Sequence, residues 1–250
     1  SFYLQGDYDQ AIEHHSQSLK TREEVGDKNG ISASLNNIGI IYKEQGDYAK
    51  AIEYYSRSLE IQKEIGDEKG VAASLNNIAN IYNDQGDYAK AIEYYTQSLK
   101  IQEKIKNKNG IAASLGNIGS IYEEQRDYAK AIDYFNQCLK IAEKSGNKQF
   151  IANCLISIGI IFKKQSDYIK AIEYYSQSLK IYEEIGDKKR IAASLNNLGS
   201  IYKNQQETAK AIDYHMQSLK IQEEIGKKKG TANCLSNIGS IYNNQGNYAK

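Results

Sequence analysis

The chain has 250 residues, of which 40% are hydrophobic and 25% charged, and its 32 basic and 31 acidic residues leave a formal net charge of +1. That composition excludes a disordered chain, and the even spread of charge supplies neither the basic face that nucleic acid needs nor a polybasic membrane-binding segment, so neither is expected as a partner. No apolar run approaches the roughly 20 residues of a membrane span, and the opening "SFYLQGDYDQ" lacks the basic and apolar regions of a signal peptide, which points to the cytoplasm.

From the N-terminus onward the sequence repeats with a step of 40 residues. Phe2 is in phase with Tyr42, so the chain is expected to open near the end of one helix and to enter a second before the first full unit. In that unit Leu35, Ile38, Gly39 and Tyr42 recur at i, i+3, i+4 and i+7, one face of a helix A. Gly46 ends it and Asp47 caps the next, where Ala51, Ile52, Tyr55, Leu59 and Gln62 continue a helical stripe, helix B. Gly66 and Asp67 repeat the stop and start. The block "GDYAKAIEYY" at 46–55 returns unchanged at 86–95, then as "RDYAKAIDYF" at 126–135, "SDYIKAIEYY" at 166–175 and "QETAKAIDYH" at 206–215. Complete hairpins are therefore expected at 27–65, 67–105, 107–145, 147–185 and 187–225, followed by a trailing helix A and the start of a helix B near Asn247. The reading is a single array over 1–250, a fragment of a longer one with uncapped apolar ends free to self-associate end to end.

The pattern Leu35-x-x-Ile38-Gly39-x-x-Tyr42, followed by Gly46, Tyr48, Ala51 and Tyr55, resembles the tetratricopeptide repeat along the whole chain. Two departures stand out. The chain has no proline, Lys63 standing where the repeat's terminal proline belongs, and the unit is longer than the usual ~34 residues. Without that proline, helix B is free to run on. The longer unit is similar to those of Pins/LGN-type polarity adaptors, kinesin light chains and related bacterial signalling proteins. The resemblance implies an all-α, right-handed superhelical solenoid of stacked antiparallel helix hairpins whose A helices line a concave groove. It implies a non-enzymatic protein–protein interaction module, without cofactor, that binds an extended peptide or partner segment. Two alternatives stay open: a self-associating scaffold, and a sensor segment of a larger signalling enzyme.

With ~100° per residue around helix A, positions 33, 37, 40 and 44 lie opposite the apolar face. Read down the repeats this stripe is small and polar. Its column Asn37, Asn77, Asn117, Asn197 and Asn237, with Ser157 the exception, resembles the asparagine ladder by which some members of the family grip an extended peptide. An amide both donates to a peptide carbonyl and accepts from a peptide N–H. Asn80, Asn153 and Asn233 lie on the same stripe, and Ile40, Ile156 and Ile160 are candidate pocket residues. Glu44, Asp84 and Glu124 give way to Lys164, Asn204 and Asn244, which favours a ligand basic at one end. The neighbouring column, Asn36, Asn76 and Asn196, is expected on the flank.

Other constellations fail. His14, His15 and His215 replace tyrosines of the repeat, so they read as packing residues rather than as metal ligands or catalysts. Cys138, Cys154 and Cys234 lack metal-binding spacing and read as reduced thiols. There is no nucleophile–base arrangement and no phosphate-binding glycine loop. Asn36, Asn76 and Ile156 occupy the places where a clamp for chaperone C-terminal carboxylates would need lysine.

Overall fold

The computed structural model describes residues 8–244, the side chain of Asn244 excepted; Phe2, Asn247 and the expected role of Asn244 therefore lie outside the described residues. Among those residues are twelve α-helices and no strand. They are α1 (Tyr8–Glu24), α2 (Lys28–Glu44), α3 (Tyr48–Glu64), α4 (Glu68–Asp84), α5 (Tyr88–Lys104), α6 (Lys108–Glu124), α7 (Tyr128–Ser145), α8 (Lys148–Lys164), α9 (Tyr168–Ile185), α10 (Lys188–Asn204), α11 (Thr208–Glu224) and α12 (Lys228–Asn244).

Turns stop both helices of a hairpin, including helix B, which the missing proline leaves open and which Gly66 at φ +72° ends after Glu64. Gly46 takes φ +79°, a left-handed conformation that satisfies the last carbonyls of α2, and the Asp47 side chain accepts from Lys50 N at 3.1 Å to start α3. Asp67, Asp87, Asp127, Asn147, Asp167 and Asp187 cap later helices in the same way. Lys50 also pairs with Asp47 at 3.1 Å and stands 4.9 Å above the Tyr42 ring, which stacks on Tyr54 at 5.4 Å. The recurring "GDYAK" is thus a cap, an ion pair and a cation–π contact in one turn. It recurs at Asp87–Lys90–Tyr82 and at Asp167–Lys170–Phe162.

The chain divides between Ile121 and Tyr122 into two compact units. In the first, α1 to α5 pack in sequence order, each against the next. Leu35, Ile38, Ala51, Tyr55, Leu75, Ile78 and Ile81 form its core, each fully buried apolar side chain contributing roughly 1.5–3 kcal/mol relative to exposure. In the second, α7 to α12 pack the same way around Ala131, Phe135, Ile158, Ile161, Ala171, Tyr175, Leu198 and Ile201. A single hairpin leaves half of these stripes in water, so neighbouring hairpins complete each core. Gly39 is required by close approach: a Cβ there would stand 2.8 Å from the Tyr55 ring.

Candidate binding stripe

In the first unit the stripe faces outward as the 3.6-residue period requires. Ala33, Ile40 and Glu44 of α2 are exposed and Asn37 is half-buried; on α4, Ala73 is exposed and Asn77 and Asn80 are half-buried. Lys43 of α2 and Asp84 of α4 form an ion pair at 3.1 Å. The amides of Asn37, Asn77 and Asn117 make no side-chain hydrogen bond among the described residues. Asn80 is different, since its carbonyl oxygen accepts from the Tyr95 hydroxyl at 2.5 Å.

In the second unit the same stripe is partly committed to the protein itself. Asn153 Oδ1 accepts from the Tyr182 hydroxyl at 2.6 Å and from Gln149 Nε2 at 3.4 Å. Asn237 Nδ2 donates to Asn196 Oδ1 at 3.0 Å, and Lys203 Nζ to Ser240 Oγ at 2.9 Å, which ties α10 to α12. Asn197 is half-buried, with no side-chain partner among the described residues, and Asn233 is exposed.

One expectation is corrected, and two others gain structural detail. Asn36 is no flank residue: its Nδ2 donates to Ser58 Oγ at 2.8 Å, while Ser74 Oγ lies 3.3 Å from its Oδ1 and 2.8 Å from Gln62 Oε1. Ser58 in turn donates to the Ser32 carbonyl at 2.9 Å, so one amide joins α2, α3 and α4 through buried polar groups. Asn196 plays a comparable part in the second unit, accepting from Asn237 and from His215 Nδ1, 2.9 Å away. Ile156 and Ile160, both half-buried, pack against the Tyr175, Leu198 and Ile201 cluster, and Ile40 alone of the three is exposed, at 37%. Two of the charges on the stripe are answered by neighbours, Asp84 by Lys43 and Lys164 by Glu123 at 2.8 Å, whereas Glu44 and Glu124 make no ion pair among the described residues, so the expected gradient is weakened but not removed.

The signal for the Asn36 bridge was in the sequence. Ser58, Ser74 and Gln62 are polar residues on stripes that are otherwise apolar, and buried polar groups need partners. His215 lies in the core at 0% exposure, as its alignment with Tyr55 indicates, with Nε2 unpartnered; burial, and secondarily the Lys203 cation, hold its pKa below the ordinary imidazole value. No group of three or more His, Cys, Asp or Glu among the described residues is placed to hold a metal ion, and none of the described helices is long and apolar enough to cross a membrane.

Helices of 17 or 18 residues, joined by two- or three-residue turns and packed within each unit chiefly on their sequence neighbours, define a helical-hairpin repeat protein. Models of the tetratricopeptide repeat match residues 1–64, 70–144 and 190–250, and a further one matches 152–185. The chain belongs to the tetratricopeptide repeat family. No curated protein sequence matches it. Among solved structures, it is similar to BtubC (BKLC) from P. vanneervenii, with TM-score 0.78 and 19% identity over 88% of this chain and 92% of that one. It is also similar to a signal transduction ATPase with numerous domains, carrying a tetratricopeptide repeat sensor, from Pyrococcus horikoshii, with TM-score 0.80 and 19% identity. That match covers 98% of this chain and 37% of the ATPase. A third is a Rap protein complexed with competence and sporulation factor, with TM-score 0.64 and 20% identity over 99% and 73% of the two chains.

Proposed function

We propose that the chain is a non-enzymatic interaction module that holds an extended protein segment on the outward stripe of its A helices, gripping the segment's backbone through asparagine amides. The observation that carries this reading is the set Asn37, Asn77 and Asn117, one repeat apart on one unit, each half-buried on a small, polar face with its amide unspent. Packed helices stand about 8–10 Å apart and an extended chain rises about 3.3 Å per residue, so one amide meets roughly every third ligand residue. Backbone hydrogen bonds then supply affinity with little sequence preference, and Ile40 beside Asn37 offers an apolar contact for a ligand side chain. Asn197 provides the same group in the second unit, and Asn233 is exposed on α12; Asn80, Asn153 and Asn237 each keep part of their amide for a ligand. That a related fold is known with a bound factor, the Rap complex, agrees with this use of the repeat.

The test is a peptide-display selection on the full chain, repeated on the triple variant Asn37→Ala, Asn77→Ala and Asn117→Ala. Each amide removed costs about 1 kcal/mol, roughly fivefold in affinity, so captured ligands should bind the variant about a hundredfold more weakly at unchanged helicity. Ligands that bind parent and variant equally, or a selection that returns none, would overturn the reading.

A further inference from the structure

Away from the outward stripe, and independently of any ligand held there, each B helix makes an inner contact with the next A helix. Two antiparallel helices joined by a tight turn bring together residues equidistant from it. About Gly66 these are Ser58 and Ser74, each eight residues away, and their counterparts further on are Ser98 and Ser114, Ser178 and Ser194, and Ser218 and Cys234. All are buried. At the contact between α7 and α8, centred on Gly146, both positions are cysteine, Cys138 and Cys154. Their sulfurs lie 2.6 Å apart, about half an ångström beyond a disulfide's S–S bond, and both residues are almost wholly buried, at 1% and 3% exposure. The nearest comparison is Ser218 and Cys234, where one serine remains and the Oγ–Sγ distance is 3.3 Å.

We propose that Cys138 and Cys154 form a redox-responsive covalent tie: a hydroperoxide oxidises the pair to a disulfide that fastens α7 to α8, and thiol reductants reopen it. The attacking sulfur is Cys138. The Cys154 S–H donates to Cys138 Sγ, which favours the Cys138 thiolate against the opposing effect of burial, while the same bond and burial push the Cys154 thiol up. The Cys138 thiolate attacks the peroxide, the O–O bond breaks, and the departing oxygen takes a proton and leaves as an alcohol, or as water from hydrogen peroxide. The resulting sulfenic acid is attacked by Cys154, whose sulfur displaces hydroxide as the S–S bond forms; that hydroxide leaves as a second molecule of water with the Cys154 proton. In sum, two thiols lose two electrons to one hydroperoxide. The consequence is local. At the first junction Ser74 donates to Gln62 across the α3–α4 contact, whereas Ala142 stands at the Gln62 position on α7, so oxidation supplies a cross-helix tie where that polar one is missing. Burial restricts the reaction to small oxidants and to moments of local opening, so it should be slow and selective.

The experiment uses the full chain, treated with hydrogen peroxide and, in parallel, with peroxide followed by dithiothreitol. The intact mass should fall by about 2 Da, one thiol of three should remain open to alkylation after denaturation, and non-reducing peptide mapping should recover Cys138 linked to Cys154 with Cys234 alkylated. Dithiothreitol should restore all three thiols and reverse a rise in melting temperature. Cys138→Ser, which installs the residue found at the same place in the other repeats, should fold, lose both the mass change and the rise, and leave its remaining thiols open. The proposal is overturned if peroxide leaves all three parent thiols alkylatable, if it adds oxygen to cysteine without a crosslink, if the crosslink uses Cys234 or joins two chains, or if Cys138→Ser gains the same thermal protection.

Discussion

The two units are built from one repeat yet use it differently. In the first, the column facing the A helices carries the buried Tyr55 and Tyr95 after a half-buried His15, the inner polar contacts are serine, asparagine and glutamine, and the stripe amides of Asn37 and Asn77 are unspent. In the second, His215 sits where Tyr55 does, cysteines replace serines between α7 and α8, and Asn153 and Asn237 are drawn into bonds with Tyr182 and Asn196. What stays constant is what a stacked hairpin cannot do without: the small and aromatic residues at the close helix contact, and the turn between its helices. The outward stripe and the inner polar bridges vary, because several side-chain sets satisfy the same backbone.

The sharpest way to break the comparison is at the invariant contact. Tyr55→Ala removes a ring that is 1% exposed and packed over Gly39, and should cost about 3–5 kcal/mol in chemical denaturation. His215→Ala at the same place should cost less, since imidazole buries less apolar surface and already leaves Nε2 unpaired. Equal costs would mean that the two units tolerate voids alike and that the aromatic column carries no special weight.

Adjacent asparagines give the next largest contrast. Asn36→Ala strips a buried bridge from Ser58 and Ser74 and should cost about 1–3 kcal/mol, while Asn37→Ala should fall within about 0.5 kcal/mol of the parent. Asn76→Ala sharpens the point: Asn76 shares the Asn36 column, but its Oδ1 is buried without a partner, so its loss should cost less than that of Asn36.

That pair also shows how far the sequence could be read. Helix positions, caps and the outward face follow from spacing alone, because 3.6-residue periodicity and glycine–aspartate turns are local. Which amide is spent depends on side chains of the following helices, 15 to 38 residues further along the chain. Asn36 and Asn37 differ by one position and about 100° of rotation, yet only the structure shows Ser58 and Ser74 within reach of the first. The bonds from Tyr95 to Asn80 and from Tyr182 to Asn153 were hidden for the same reason, and so was the packing of Ile156 and Ile160 onto the α9–α10 core.

A pH scan separates His215 from the tyrosines it replaces. Its folded pKa lies below the unfolded value near 6.5, so the unfolded chain takes up the proton first. The stability linked to this residue is therefore complete above about pH 6.5 and is lost as pH falls through that value toward the lowered folded one. His215→Tyr, which copies the Gly159–Tyr175 contact, should remove that component, so the difference in melting temperature between variant and parent should widen between about pH 7.5 and pH 5. A difference that stays constant over the range would mean that the imidazole is protonated as readily in the core as in water.

The smallest effect lies in the turn between α10 and α11, where the repeat's chemistry is weakest. Gln206 holds φ +61° without being glycine, and Glu207 caps α11 without a side-chain hydrogen bond, although it pairs with Lys210 at 2.5 Å. The corresponding first-unit turn has Gly86 at φ +77° and Asp87 accepting from Lys90 N at 3.2 Å. A shorter carboxylate reaches the helix's free N–H groups where glutamate overshoots, and glycine removes the left-handed penalty. Gln206→Gly with Glu207→Asp should therefore stabilise the chain by about 1–2 kcal/mol, and Gly86→Gln with Asp87→Glu should remove a similar amount. If the first exchange gains nothing while the second loses stability, the loss belongs to the surroundings of the first-unit turn, and the glycine–aspartate pair is a marker of the repeat rather than the source of its stability.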